Sequence, residues 1–229
     1  MSPISPLYRA VLFDMDGVLV DSMSCHKSAF DEVLSPFGLS VNIEDIAGRS
    51  TREIIKGLLA ERADLNEQRE ICRIKTELAL EHFRRMGIGL LLPDAPEIVQ
   101  RISAILPVAL CTSASYETAS YVSSVLMSNC DFSAVVTSAD VSSAKPHPET
   151  YELALQKLGI SPSHGLVVED SQSGVIAGHA AGCDVAHLTQ SCADGDQCPA
   201  RYHIRSLQEL PPLIQFERSL QSQRLMSGE

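Results

Sequence analysis

From Pro93 onward the chain alternates short apolar runs with helical patterns, and that alternation limits what it can fold into. Val108 to Cys111, Phe132 to Thr137, Gly165 to Val168 and Asp184 to Leu188 read as strands. Ala95 to Leu106, Tyr116 to Met127, Pro148 to Leu158 and Gly174 to Ala181 read as the intervening helices. Strands separated by helices need crossover connections, which are right-handed and build a parallel sheet. Tyr8 to Phe13 (YRAVLF) supplies one more buried strand, and Tyr202 to Leu210 adds an edge strand and a helix.

The stretch between the first strand and Pro93 has a different texture. Asp21 to Leu34 is helical, with Met23, Phe30, Val33 and Leu34 as apolar anchors, and Pro36 and Gly38 end it. From Ile43 to Met86 the apolar residues keep helical spacing (Ile54, Ile55, Leu58, Leu59, then Ile71, Ile74, Leu78, Phe83), and no strand is expected. The chain thus reads as an α/β core, residues 1–20 and 93–216, interrupted by a helical insert, residues 21–92. The polar tail, residues 217–229, is expected to fray. A length of 229 residues suits one domain with a sizeable insertion.

Composition excludes several functions. A net charge of −11 argues against coating nucleic acid or an anionic membrane, so an anionic ligand would have to be drawn by a local site. No apolar run approaches the length that spans a bilayer, and Met1 to Arg9 holds no secretory signal. Seven cysteines, an odd number, fit reduced thiols in a cytoplasm. Cys183, Cys192 and Cys198 with His187 and His203 match no familiar zinc spacing.

In doubly wound sheets ligands bind at the carboxyl ends of the strands, where strand order reverses. The first strand ends in Asp14 and Asp16, followed by Gly17. Two carboxylates so close resist joint ionisation, so one is protonated or a cation is present. The second ends in Thr112, Ser113, Ala114 and Ser115, whose N–H groups and hydroxyls suit an oxyanion. After the third comes Lys145 between fixed prolines, a cation for phosphate or for the acids themselves. The fourth ends in Glu169, Asp170 and Ser171, suited to magnesium. Taken singly, each has a plainer reading as solvated turn acids, a helix cap or a loop lysine. Together and in this order they are the parts needed to transfer a phosphoryl group to a carboxylate.

The segments FDMDGVLVDS, LCTSAS, AKPHPETY and VVEDSQSGVIAGHAAG resemble the four signature segments of the haloacid dehalogenase superfamily. The likeness runs from about Tyr8 to Leu210, and the helical insert resembles the cap of the β-phosphoglucomutase-like subgroup. It implies a Rossmann-like parallel sheet with helices on both faces plus an inserted α-helical cap domain. It implies a magnesium-dependent phosphatase acting on a small phosphorylated metabolite, such as a sugar phosphate. Asp14 would be the nucleophile, and Asp16 the acid and base whose carbonyl also ligates Mg²⁺. Thr112, Ser113 and Lys145 would bind phosphate; Asp170 would ligate the metal, with Glu169 in or beside its ligand shell. An acid at Asp16 favours phosphate esters over halides or phosphonates as substrates. In the cap, His26, Arg49 and Lys75 are the candidates for substrate contact. Arg52, Arg62 and Arg69 read as solvated helix charges. The arginine spacing in Gly48-Arg49-Ser50-Thr51-Arg52 departs from the mutase's. The alternatives are a β-phosphoglucomutase-type sugar phosphomutase and a phospho-accepting receiver domain, though receivers are shorter and lack the insert. A monomer or weak dimer is expected.

Overall fold

A computed structural model describes residues 8–46, 49–189 and 199–214. Six strands form one sheet in the order β3-β2-β1-β4-β5-β6: β1 (Ala10–Phe13), β2 (Val108–Cys111), β3 (Phe132–Val136), β4 (Gly165–Glu169), β5 (Asp184–Leu188) and β6 (Tyr202–Ile204). Every pairing is parallel. The chain steps outward from β1 through β2 to β3, then returns to lay β4 against the other side of β1. The strand order therefore reverses between β1 and β4, the place where such sheets open a crevice at their carboxyl ends.

The central strands are apolar on both sides because both sides are covered. Side chains alternate across the sheet. Val11, Phe13, Val108, Leu110, Leu166 and Val168 meet Ile98, Val99 and Ile102 of α5 (Ala95–Ser103) on one face. Ala10, Leu12, Ala109, Cys111 and Val167 meet Tyr151, Ala154 and Leu155 of α7 (Glu149–Leu158) and Val175 and Ala177 of α8 (Gln172–Ala180) on the other. The α5 anchors recur at the three- and four-residue steps of one helix face. Each buried isoleucine there stabilises the fold by about 1.5–3 kcal/mol.

Between β1 and β2 the described chain is helical: α1 (Met23–Leu34), α2 (Ile43–Ile46), α3 (Thr51–Leu59) and α4 (Leu65–Met86). Ser50 caps α3 and Asp64 caps α4, each in a reciprocal pair with a glutamate three residues on. These helices bury a core of their own around Phe30, Val33, Leu34, Ile54, Ile55 and Leu59.

Several boundaries differ from expectation, most by one to three residues, and three of them bear on the fold. The helix expected from Tyr116 to Met127 is α6 (Tyr116–Tyr121), followed by a wider turn that the Met127 N–H closes onto the Val122 carbonyl. The helix expected at the end of Tyr202–Leu210 begins as a single 3₁₀ turn, Leu207–Glu209. Strand β4 runs one residue further than Val168, because Glu169 still pairs with His187 in the ladder. The expected tail, residues 217–229, lies outside the described residues, as do Gly48, Cys192 and Cys198.

Candidate active site

The strand ends converge on a cavity of about 210 Å³ between the sheet and the helical insert. Asp14, Asp16, Ser113, Lys145 and Asp170 line it from the core, and His26, Arg49 and Lys75 from the insert. Thr112 lines the adjoining cleft, of about 330 Å³, which shares His26, Lys75 and Ser113 with the first. Eight of the nine residues expected to carry the chemistry, and Lys75 with them, line these two cavities, and the ninth, Glu169, is buried behind them against Lys145.

Lys145 is the hub. It follows β3, is joined to Pro146 by a cis peptide bond, and is buried. Its Nζ donates to Asp14 Oδ1 at 2.5 Å, to Glu169 Oε1 at 2.6 Å and to the Cys111 carbonyl at 3.2 Å. An ammonium has three protons, and these acceptors take all of them. Burial works against the charged ammonium, but Asp14 and Glu169 outweigh it and hold Lys145 above the ordinary lysine value. Glu169 is fully buried in the strand, not an exposed acid beyond it. Burial would raise its carboxyl, yet Lys145 and Tyr151 hold it below its ordinary value.

The other Glu169 oxygen, Oε2, accepts from the backbone N–H groups of Asp170 and Ser171, at 3.1 Å each, and from Ser171 Oγ at 2.9 Å. Gly174 makes this possible, since a Cβ there would stand 1.7 Å from Glu169 Oε1. Ser171 caps α8 through the Gly174 N–H, so the plain capping role falls to Ser171 and leaves Asp170 turned to the cavity. The same division holds after β2, where Ser115 caps α6 and Thr112 and Ser113 face the site. There Thr112 Oγ1 accepts from the Ala114 N–H at 3.0 Å, which leaves its own proton to give.

Acids outnumber cations at the sheet end. Burial drives Asp14 well above its ordinary value; Lys145 opposes this, while Glu169, Asp170 and Asp16 add to it. The Asp170 carboxyl opens to the cavity, yet loss of solvent and the charges of Glu169 and Asp16 push it to about 7. Ligand oxygens of Asp14, Glu169 and Asp170 lie within 4.8 Å of one another. Gly17 adopts φ +80° and lies against Asp170, so that a Cβ in its place would stand 1.8 Å from Oδ2. An all-oxygen donor set with surplus negative charge and a glycine cradle fits a magnesium ion. Asp14 and Asp170 have oxygens facing the cavity, whereas those of Glu169 are already engaged.

Asp16 is set apart from this cluster by the insert. Ser22 Oγ donates to its Oδ1, and His26 Nε2 lies 3.4 Å from the same oxygen. Lys75 Nζ donates to His26 Nδ1 at 3.0 Å and lies 4.3 Å from the Phe30 ring centroid. A donor on Nδ1 puts the imidazole proton on Nε2, towards Asp16. Burial would raise Asp16, but His26, Ser22 and Lys75 outweigh it and hold it below its ordinary value. Burial and the neighbouring Lys75 lower His26, and burial pushes Lys75 itself down to about 8. Arg49 is exposed and donates to the Asp45 carbonyl at 3.1 Å. Of the arginines read as solvated, Arg62 reaches the Phe37 carbonyl at 3.1 Å, and Arg52 lines the adjoining cleft.

Sequence profiles and folds place this arrangement. The haloacid dehalogenase-like hydrolase profile matches residues 8–182. The chain belongs to the haloacid dehalogenase-like hydrolase family. It is an enzyme of that family, and its curated relatives include phosphatases. It is 31% identical over 186 residues to the fructose-1-phosphate phosphatase YqaB of Escherichia coli, covering 79% of this chain and 96% of that one. It is 30% identical over 180 residues to hexitol phosphatase A of the same organism, covering 77% and 81%. Its fold matches the crystal structure of β-phosphoglucomutase from Clostridium difficile with a TM-score of 0.80 at 16% identity, over 96% of this chain and 99% of that one.

Sequence reasoning passed over Tyr151, Ser22 and the Cys111 carbonyl. Tyr151 stands at the end of AKPHPETY, where its place on the first turn of α7 is a signal that it faces the sheet. Ser22 lies six residues past Asp16, with nothing in that spacing to announce the contact. His187 is a further neighbour, with Nε2 3.1 Å from the Asp170 carbonyl.

Proposed function

We propose that the protein is a magnesium-dependent phosphomonoesterase that hydrolyses a small sugar phosphate through an aspartyl-phosphate on Asp14. The observation that carries this reading is the convergence of Asp14, Lys145 and Asp170 at the reversal point of the sheet, with Asp16 held separately by the insert. The naming of relatives as phosphatases of fructose-1-phosphate and hexitols supports the substrate class. Residues 1–20 and 93–216 form the core domain and 21–92 the cap on this reading. Five described cysteines without a disulfide are consistent with a cytoplasmic protein, and among the described residues no helix is long and apolar enough to cross a membrane.

Asp14 and Asp170, with the Asp16 carbonyl, would hold Mg²⁺, which when bound offsets the charge that keeps a carboxylate away from an anionic phosphorus. Lys145 supplies the second counter-charge. An Asp14 oxygen attacks phosphorus, the bond to the ester oxygen breaks, and Asp16 gives that oxygen a proton. Asp16 is ionised at rest, and the charge of the entering phosphate raises it and favours the protonated form. In the second half Asp16 takes a proton from water, the water oxygen bonds to phosphorus, and the Asp14 carboxylate is released with inorganic phosphate. Thr112 Oγ and the Ser113 N–H are the donors for the phosphate oxygens.

A panel of phosphorylated metabolites assayed with and without Mg²⁺ tests the reading. The expected result is magnesium-dependent release of inorganic phosphate from sugar phosphates. No release across the panel would contradict it. Isomerised sugar phosphate without release would favour the mutase alternative, which the likeness in fold to β-phosphoglucomutase supports.

A further inference from the structure

We infer that Tyr151 is a positioning residue for the Lys145 ammonium and acts through Glu169, an inference that rests on the hydrolase reading above. Tyr151 is fully buried on the first turn of α7. Its hydroxyl donates to Glu169 Oε1 at 2.7 Å, the same oxygen that takes a proton from Lys145. Its ring lies 4.8 Å from Lys145 Nζ, measured to the centroid. One side chain therefore touches both members of the Glu169–Lys145 pair, one with its polar end and the other with its π face.

The consequence follows from how Glu169 is held. Oε2 is fixed by three donors from the start of α8, and Gly174 sits close behind the carboxylate. Among the described residues, Oε1 has two donors, Lys145 and Tyr151. Glu169 and Asp14 compete for the same ammonium. The Tyr151 proton draws off part of the charge on Oε1, and the ring walls the ammonium on one side. Nζ is thereby kept between the two carboxylates, within 2.5 Å of Asp14. Without the hydroxyl, Lys145 becomes the sole donor to Oε1, the Glu169–Lys145 pair tightens, and Asp14 loses counter-charge. A hydrogen bond to a charged group is strong enough for its loss to be felt in the chemical step.

Tyr151→Phe keeps the ring and removes the hydroxyl, and Tyr151→Leu removes both. With a sugar phosphate that the wild type hydrolyses and saturating Mg²⁺, Tyr151→Phe is expected to lower kcat about tenfold. Its KM stays at the wild-type value, and its melting temperature falls by only a few degrees, the cost of one buried hydrogen bond. Tyr151→Leu is expected to lose more of kcat and to melt earlier. A Tyr151→Phe enzyme within twofold of wild-type kcat would overturn the inference. So would a loss in Tyr151→Phe that accompanies a fall in melting temperature like that of Tyr151→Leu, since that is packing alone. Wild-type turnover with an unaffected Tyr151→Phe refutes the role of Tyr151 while leaving the hydrolase reading intact; absence of wild-type turnover on every ester refutes both.

Discussion

The end of the sheet and the helical face above it are built on different terms. At the sheet end, the chemistry-bearing side chains other than Lys145 leave from strand termini whose register is locked by the ladder, Lys145 reaches them from the loop after β3, and most are buried against a partner. Lys145, Asp14 and Glu169 make a closed set in which moving one member strands the others. On the insert, Arg49 and Arg52 stand exposed on or beside short helices, and among the described residues the Arg49 side chain bonds a carbonyl of its own segment. The exception is Lys75, buried on α4 and tied through His26 to Asp16. The contrast teaches that the core holds its charges in a closed set, whereas the insert holds Asp16; on the proposed reading the core would fix the reaction and the insert would adjust what enters.

The largest effect should come from Asp14→Asn, which keeps the shape of the side chain and removes the nucleophile. Turnover should fall by about 10⁴-fold or more, with the fold intact by circular dichroism. Near wild-type phosphate release would remove the covalent mechanism. Lys145→Met comes next. It leaves two buried acids without their cation, so it should cost about 3–5 kcal/mol of stability as well as about a thousandfold in kcat. A thermal melt unchanged from wild type would mean the closed set is not closed.

Two substitutions on the insert sharpen the contrast. Lys75→Met removes the donor on His26 Nδ1 and frees the imidazole to turn its bare nitrogen towards Asp16, so kcat should fall about tenfold. Arg49→Ala should raise KM about threefold and leave kcat near wild type, the behaviour of a rim charge. If both variants changed only KM, Lys75 would belong with the exposed arginines rather than with the sheet end.

The smallest effect concerns the surplus acid. Asp170 binds its proton more tightly folded than unfolded, about 7 against an ordinary 3.8, so its contribution to metal-free stability declines as pH rises between those values. A cation must displace that proton. The rise in Tm produced by Mg²⁺ should therefore be small at pH 5.5 and reach several degrees at pH 8, at about 2–4 °C per kcal/mol for a chain of this size. Asp170→Asn should flatten the difference. A rise independent of pH in the unaltered protein would place the cation elsewhere.

Much of the sheet end was legible in the sequence because strands announce themselves by apolar runs and their last residues follow directly. Asp14, Thr112 and Asp170 each come at or just after such a run, Lys145 follows its run across a loop, and the order of the runs implied a shared end. Less legible were contacts that depend on which helix face meets which strand. Tyr151 meets Glu169 across 18 positions, and Lys145 meets Asp14 across 131, distances at which local pattern is silent. Glu169 looked like the first residue of a loop because it is charged, yet its charge is balanced inside the strand by Lys145. On the insert, the family resemblance picked out His26, but the Lys75 contact that orients it spans 49 positions.

The most direct test of the account is to mix enzyme, Mg²⁺ and a sugar phosphate that it hydrolyses, quench in acid within one turnover, and map phosphorylated peptides by mass spectrometry. A phosphoryl group on Asp14 in the wild type, and on no residue in Asp14→Asn, is the predicted result. Full turnover with Asp14 unmodified, or with the label on another residue, would contradict it.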